Sequence, residues 1–343
     1  MNNWKEVELL LKGEPQKIII ISHRSPDGDS VGSSLAVFHY LKHLGHQVSV
    51  ITPDPAPDFL NWLPAFEDIL NFEKQHDEVK SKIEEAEVIF CLDFNILNRV
   101  GPMEKSITEN AKAYLINIDH HQDPANFAHF QLSDTKASST AEMVYEFCVK
   151  ISGKDWMNLP FAQSVYTGIL TDTGSFRFSS TSAKTHQIAA ELIQLGVEPA
   201  KIHQAVFDSY SADRLKLLGF ALNQRMKLYP NYKTSIIALS EKDLQRFNFQ
   251  RGDTEGLVNF PLSIKNVLIS ILITEKDKKV KMSFRSKGNF KVNEIAATYF
   301  NGGGHLNAAG GLSDYSVKGT VEKLEELLPD YETAINSEFS KIN

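Results

Sequence analysis

Four short apolar runs restrict the fold of this chain more than any other feature: residues 17–22 with four successive isoleucines, 47–52, 87–93 and 113–119. A strand with one wet face alternates apolar and polar residues. These runs barely alternate, so they need cover on both faces. That predicts a largely parallel sheet with helices on each side, and the helical pattern at 31–44 supplies the first crossover. In such α/β sheets ligands collect beyond the carboxyl ends of the strands.

Those ends carry a consistent chemistry. Asp119-His120-His121 closes the fourth run; His23, Asp27, Gly28 and Asp29 follow the first; Asp93 ends the third; and Asp172 closes a helical stretch that starts near Pro160. Carboxylates and imidazoles without thiolates suit Mn²⁺, Fe²⁺, Co²⁺ or Zn²⁺ better than Ca²⁺ or a structural zinc. There are more ligands than one ion uses, which suggests two ions sharing a bridge, an arrangement used to attack phosphate esters. Gly28 lets Asp27 and Asp29 face different cations, although a plain turn after Pro26 would look the same. Asp93, a lone acid on an apolar strand, is the candidate bridge. His120 is expected as a direct ligand, Asp119 as the partner holding and polarising the site, and His121 as a donor to a non-bridging phosphate oxygen. At a helix C-terminus Asp172 opposes the helix dipole, which a nearby cation would offset.

Ser139-Thr140-Ala141-Glu142 has the spacing of a capping box opening a helix to about Ile151. Helical patterns continue to about Tyr229, the last being an amphipathic stretch at 213–228 that reads as a connector ended by Pro230-Asn231. Beyond it, 235–239, 267–274 and 280–285 read as strands, and 292–300 and 318–328 as helices. The expected division is 1–200 for the metal-binding part, 201–230 for the connector and 231–343 for a smaller α/β part. In the latter, Gly302-Gly303-Gly304-His305 exceeds the needs of a C-cap and reads as a loop whose bare amides suit a phosphate, and Arg285 offers a planar fork for a terminal phosphate. Phe176 and Phe178 flank Arg177 and serve either to stack a base or to fill core. The remaining histidines lack acid clusters and read as surface or satisfied core.

With 343 residues, 42% of them hydrophobic, two cores can form, and no apolar run is long enough to span a membrane. The polar start lacks signal-peptide order, and two cysteines, Cys91 and Cys148, imply no disulfide framework. A cytoplasmic location fits both. The net charge of −7 is uneven: residues 1–200 hold 16 Lys and Arg against 27 Asp and Glu, the rest 20 against 16. An acidic part that needs cations thus precedes a basic part able to hold an anion.

His23-x-x-x-Asp27-Gly-Asp29-Ser-x-Gly32-Ser33, Asp93, Asp119-His120-His121, Thr171-Asp172-Thr173-Gly174 and Gly302-Gly303-Gly304-His305 appear in this order over residues 23–311. In these motifs the chain resembles the DHH phosphoesterase superfamily, in the subfamily with a DHH-associated C-terminal domain. At this length it looks closest to stand-alone oligoribonucleases of the nano-RNase A type that also act as 3′-phosphoadenosine-5′-phosphate phosphatases. The resemblance implies two lobes facing a cleft, with Mn²⁺ as the usual activator and Co²⁺, Fe²⁺, Mg²⁺ or Zn²⁺ as substitutes. It implies His23, Asp27 and Asp93 around one ion and Asp29, Asp93, His120 and Asp172 around the other. By the same resemblance His121, Gly303, Gly304 and His305 would meet substrate, and Arg285, read from its own chemistry, joins them. Short RNA and a nucleotide bisphosphate are the expected partners, a homodimer is allowed for, and no membrane is involved. Cyclic or linear diadenylate and pyrophosphate or polyphosphate are the competing substrates.

Overall fold

The computed structural model describes residues 3–208, 210–250 and 252–342 and divides the chain into two compact units, Met1–Ser209 and Tyr210–Asn343.

In the first unit, β1 (Lys17–Ile21), β2 (Gln47–Thr52), β3 (Leu70–Asn71), β4 (Val88–Leu92), β5 (Tyr114–Asp119) and β6 (Phe130–Ser133) form one parallel sheet in the order β3-β2-β1-β4-β5-β6. The expected strands are found within about a residue at each end, and β3 and β6 extend the sheet at its two edges. Cover on both faces follows from the side chains: Ile18 and Ile20 enter one core, with the helices Gly28–His43, Thr140–Ser152 and Leu159–Asp172. Ile19 and Ile21 enter another, with His76–Glu85 and Met103–Glu109. All four isoleucines are buried, and together they contribute about 6–12 kcal/mol of transfer free energy before chain entropy is counted. Cys91 and Cys148 are free thiols inside these cores. No helix among the described residues is long and apolar enough to cross a membrane.

The strand order reverses between β1 and β4, which both start their crossovers there. Such a switch point opens a crevice beyond the carboxyl ends. Register places its rim: Ile21 lies opposite Cys91, Leu92 opposite Ile118, and Asp93 N–H donates to Ile118 O at 3.1 Å. His23, Asp93 and Asp119-His120-His121 therefore leave three adjacent strands at one level.

The second unit has a mixed sheet. Its strands are β7 (Met226–Tyr229), β8 (Thr234–Leu239), β9 (Ile269–Lys276), β10 (Lys279–Ser286), β11 (Gly303–His305) and β12 (Ala308–Ser313), in the order β11-β12-β10-β9-β8-β7. Only the β8–β9 pair is parallel. The helices Val292–Tyr299, Val317–Leu327 and Glu332–Ile342 lie over a core with Ile271, Ile273 and Phe284. Leu217, Leu244 and Leu257 meet the alternate residues Ile237, Leu239 and Leu272.

Two expectations for this part are corrected. The stretch 213–228 is not one helix: Ala212–Phe220 is helical, Ala221–Arg225 makes a single π turn, and β7 pairs antiparallel with β8, Met226 opposite Ile237. A short apolar run suits either state, and here the otherwise bare edge of β8 selects the strand. The glycine run is likewise not an open loop. Gly303 pairs with Gly310 and His305 with Ala308 in an edge hairpin. A Cβ on Gly302 would collide with Gly310 O, and Gly304, at φ +140°, faces Ala308 O. Close approach of two backbones, rather than flexibility, is what Gly302 and Gly304 serve.

Candidate metal centre

Residues 22–30 carry the first acids. Past β1, Ser25 adopts φ +55° and its N–H donates to Asp54 Oδ2 at 2.6 Å, while Arg24 Nε stands 3.5 Å from Asp54 Oδ1. Asp27 then caps the helix Gly28–His43: its Oδ1 accepts the N–H groups of Asp29 and Ser30 at 3.1 and 3.0 Å. The plain turn after Pro26 thus accounts for one oxygen of Asp27, which also caps the helix. The other, Oδ2, lies 4.0 Å from His23 Nε2.

Glycines decide how close the next groups come. The helices Gly28–His43 and Leu159–Asp172 cross at bare backbone: a Cβ on Gly32 would stand 2.6 Å from Ser164 O, and one on Gly28 would strike the Thr171 side chain. A Cβ on Gly168 would lie 2.5 Å from Ala141 Cβ and 2.8 Å from Asp29 Oδ1. Asp29, on the first helix, and Asp172, the last residue of the second, are brought together by this crossing.

Asp93 sits at φ +64° just past β4, a region that costs an ordinary residue about 1–3 kcal/mol. Its turn is clamped from behind. Asn117, fully buried in β5, donates through Nδ2 to Cys91 O and Phe94 O, both at 3.0 Å, leaving its own Oδ1 without a hydrogen-bond partner among the described residues. Asp93 Oδ2 is 3.3 Å from His23 Nε2, and Oδ1 is 3.7 Å from both His120 Nε2 and His121 Nδ1.

The imidazoles are oriented by their far nitrogens. His23 Nδ1 donates to Arg24 O at 2.7 Å and His120 Nδ1 to Ala137 O at 3.3 Å, so each turns Nε2 into the cluster. His120 Nε2 lies 3.5 Å from Asp172 Oδ2 and 3.8 Å from Asp29 Oδ2. Asp119, wholly buried, faces His121: its Oδ1 accepts from His121 Nδ1 at 2.7 Å. Three sets of side-chain donors thus lie within 4.8 Å of one another: His23, Asp27 and Asp93; Asp29, His120 and Asp172; and Asp93, Asp119 and His121.

The charge of this cluster is its most unusual property. Asp29, Asp93 and Asp119 are at most 2% exposed, yet among the described residues no lysine or arginine pairs with any of them or with Asp27. Burial raises the Asp29 carboxyl well above the usual range, and Asp93 and Asp172 push it the same way. Burial would also raise Asp93, but the His23 hydrogen bond and the three imidazoles hold it far below the usual range. Burial alone would lower His23 and His120; the facing carboxylates instead raise both above 6.5. Protons on imidazoles here do the work of a cation. The donors are oxygen and nitrogen only, with both thiols elsewhere in the cores, which fits a hard or borderline divalent ion.

In the second unit the register places His305, Ala308, Arg285 and Ser270 in one row across β11, β12, β10 and β9. Gly303 and Gly304 belong to the edge strand of that row's hairpin. Phe176 stacks on His186 and packs on the core, while Phe178 is exposed with the Arg177 guanidinium over its ring. Sequence reading missed Asn117, Thr140 and Asp54. The available signals were a lone amide inside an apolar strand and an acid between two prolines. The capping box is also half right: Ser139 Oγ accepts Glu142 N–H, but the Glu142 carboxylate turns to Thr185 Oγ1 at 2.7 Å.

Residues 17–169 match the DHH family, N-terminal domain, and residues 232–337 match the DHHA1 domain. An exopolyphosphatase-related protein from Bacteroides fragilis is 37% identical, and its crystal structure superimposes with a TM-score of 0.93 over 97% of each chain. The bifunctional oligoribonuclease and PAP phosphatase NrnA of Thermus thermophilus is 29% identical over 310 residues, 90% of this chain and 88% of that protein. RecJ of Thermus thermophilus, crystallised with Mn²⁺, shares the fold at 12% identity, with a TM-score of 0.52 over 98% of this chain and 55% of RecJ.

The helix crossing is testable. Gly168→Ala should destabilise the protein by about 1–3 kcal/mol through overpacking. Gly219→Ala, where a Cβ meets nothing within 4 Å, should be neutral or stabilising. Urea denaturation of the two variants measures the contrast.

Proposed function

From the DHH family, to which the chain belongs with a DHHA1 domain behind its DHH domain, we propose that it is a metal-dependent phosphoesterase. Its substrates are short oligoribonucleotides, cut to mononucleotides, and 3′-phosphoadenosine-5′-phosphate, which loses its 3′-phosphate. The observation that carries the metal reading is the buried carboxylates of Asp29, Asp93 and Asp119, with which no lysine or arginine pairs among the described residues. The substrate class is supported by the name of the relative that covers most of this chain.

Two divalent cations, with Mn²⁺ as the expected ion, would be held by His23, Asp27 and Asp93 on one side and by Asp29, Asp93, His120 and Asp172 on the other. When bound, such ions acidify a water and neutralise phosphate charge. The chain's own groups do the rest. Asp93 presents one oxygen to each ligand set, so the two sets stay in register. Asp119 holds the His121 Nδ1–H, which leaves His121 Nε2 to meet a non-bridging phosphate oxygen. Arg285 and His305, which flank Ala308 in one cross-strand row, would hold a phosphate of the substrate, a role that suits the planar guanidinium fork.

Incubation with a diribonucleotide, 3′-phosphoadenosine-5′-phosphate, cyclic diadenylate and polyphosphate in parallel, with products resolved by chromatography, tests the reading. Turnover of the first two should exceed that of the others. Turnover of polyphosphate alone would overturn it.

Three further outcomes are expected. Asp93→Asn should lower kcat by at least ~10³-fold with an unchanged far-ultraviolet circular dichroism spectrum; near-normal turnover with Mn²⁺ would remove Asp93 from the bridge. Arg285→Ala and His305→Ala should raise KM for the diribonucleotide and change kcat much less; an unchanged KM would end their anchoring role. Because His23 and His120 sit above 6.5 in the cation-free protein, a cation must displace their protons. Mn²⁺ affinity should therefore climb as pH rises through those raised values and level off above them. Calorimetry in buffers of different ionisation enthalpy would read the released protons.

A further inference from the structure

The helix Thr140–Ser152 begins against two of the clustered carboxylates. Its first N–H, from Thr140, donates to Asp29 Oδ2 at 2.7 Å, and the next, from Ala141, to Asp29 Oδ1 at 2.9 Å. Thr140 Oγ1 donates to Asp93 Oδ1 at 2.8 Å. Thr140 is fully buried, and Asp29 and Asp93 are each 2% exposed. An aspartate carboxylate turns broadly about its last bond. A hydroxyl has a single proton to donate, and here that proton holds one chosen oxygen.

The choice has a consequence. The oxygen held by Thr140 is the one 3.7 Å from His120 Nε2, whereas the other oxygen of Asp93 is 3.3 Å from His23 Nε2. We propose that Thr140 is a positioning residue that assigns the two oxygens of Asp93 to the two ligand sets. Through its backbone it also locks Asp29, and so it sets the cation affinity of the set formed by Asp29, Asp93, His120 and Asp172. The inference rests on the metal reading above. The helix start is itself held in place. Ser139 Oγ accepts Glu142 N–H at 3.0 Å, and the Glu142 carboxylate, 1% exposed, accepts from Ser138 Oγ and Thr185 Oγ1 and pairs with Lys184 Nζ at 3.2 Å. This buried network ties the clamp to the helix Ala183–Gln194 and leaves Thr140 little freedom to turn away.

Thr140→Val keeps the shape and both backbone N–H donors but removes the hydroxyl; Thr140→Ser keeps the hydroxyl. Mn²⁺ titration of the metal-stripped proteins by calorimetry is the primary readout. Wild type should take up two ions. Thr140→Val should lose about 10- to 100-fold in affinity at one of them, the range for removing a group that orients a ligand. Its kcat should fall with KM for the diribonucleotide unchanged, and Thr140→Ser should restore both. Thr140→Ala carries the same test if valine is excluded by packing, with thermal unfolding of the metal-stripped variants confirming the fold. A wild type that binds two ions beside a Thr140→Val that binds them equally, or a Thr140→Ser as impaired as Thr140→Val, overturns this assignment alone. A wild type that takes up no Mn²⁺ overturns the metal reading and this assignment with it.

Discussion

Burying Asp29, Asp93 and Asp119 beside one another, with no guanidinium or ammonium group paired to them among the described residues, is the constraint around which the first unit is built. Each such charge moved out of water is costly unless paired and hydrogen-bonded. The protein meets the cost piecemeal. Two helix N–H groups hold Asp29, a hydroxyl and His23 hold Asp93, one oxygen of Asp27 caps a helix, and His121 covers Asp119. What is left over is negative charge facing inward, which imidazole protons offset only in part. On the proposed reading a cation pair would complete that balance, which would link binding to local stability.

Backbone strain follows the same geography. Asp93 and Ser25 both have positive φ, and Ser175 and Phe176 repeat it just past Asp172. Such conformations persist where surroundings over-determine them. For Asp93 the over-determining group is Asn117, whose two hydrogen bonds straddle the strained residue; for Ser25 it is Asp54. Neither group belongs to a donor set. Both keep a turn of the site from relaxing into a commoner conformation.

How much of this was readable beforehand varies with range. The doubly covered strands were legible because burial on both faces removes alternation, and Ile18 through Ile21 do divide between two cores. The acids and imidazoles were legible because they stand directly after those strands. The stretch 213–228 was not, because Met226 to Tyr229 fits a helix stripe and an edge strand equally well, and pairing with β8 just beyond the Pro230–Tyr232 turn chose between them. Thr140 was hidden inside a capping motif whose glutamate turned out to serve another helix. The glycines at 302–304 advertised a loop, whereas close approach to Gly310 and Ala308 of the opposite strand explains Gly302 and Gly304.

Sequence alone determined which residue types end each strand and that the strands must lie inside a helix-covered parallel sheet, since hydrophobic patterning and chain direction are local properties. Only the tertiary structure decided that Asp29 and Asp172 meet. That meeting depends on two helices far apart in sequence crossing at Gly32 and Gly168, at a separation that a single methyl group would forbid. It likewise decided which oxygen of Asp93 faces which imidazole, because Thr140 lies 47 residues away and no local pattern encodes a hydrogen bond of that span.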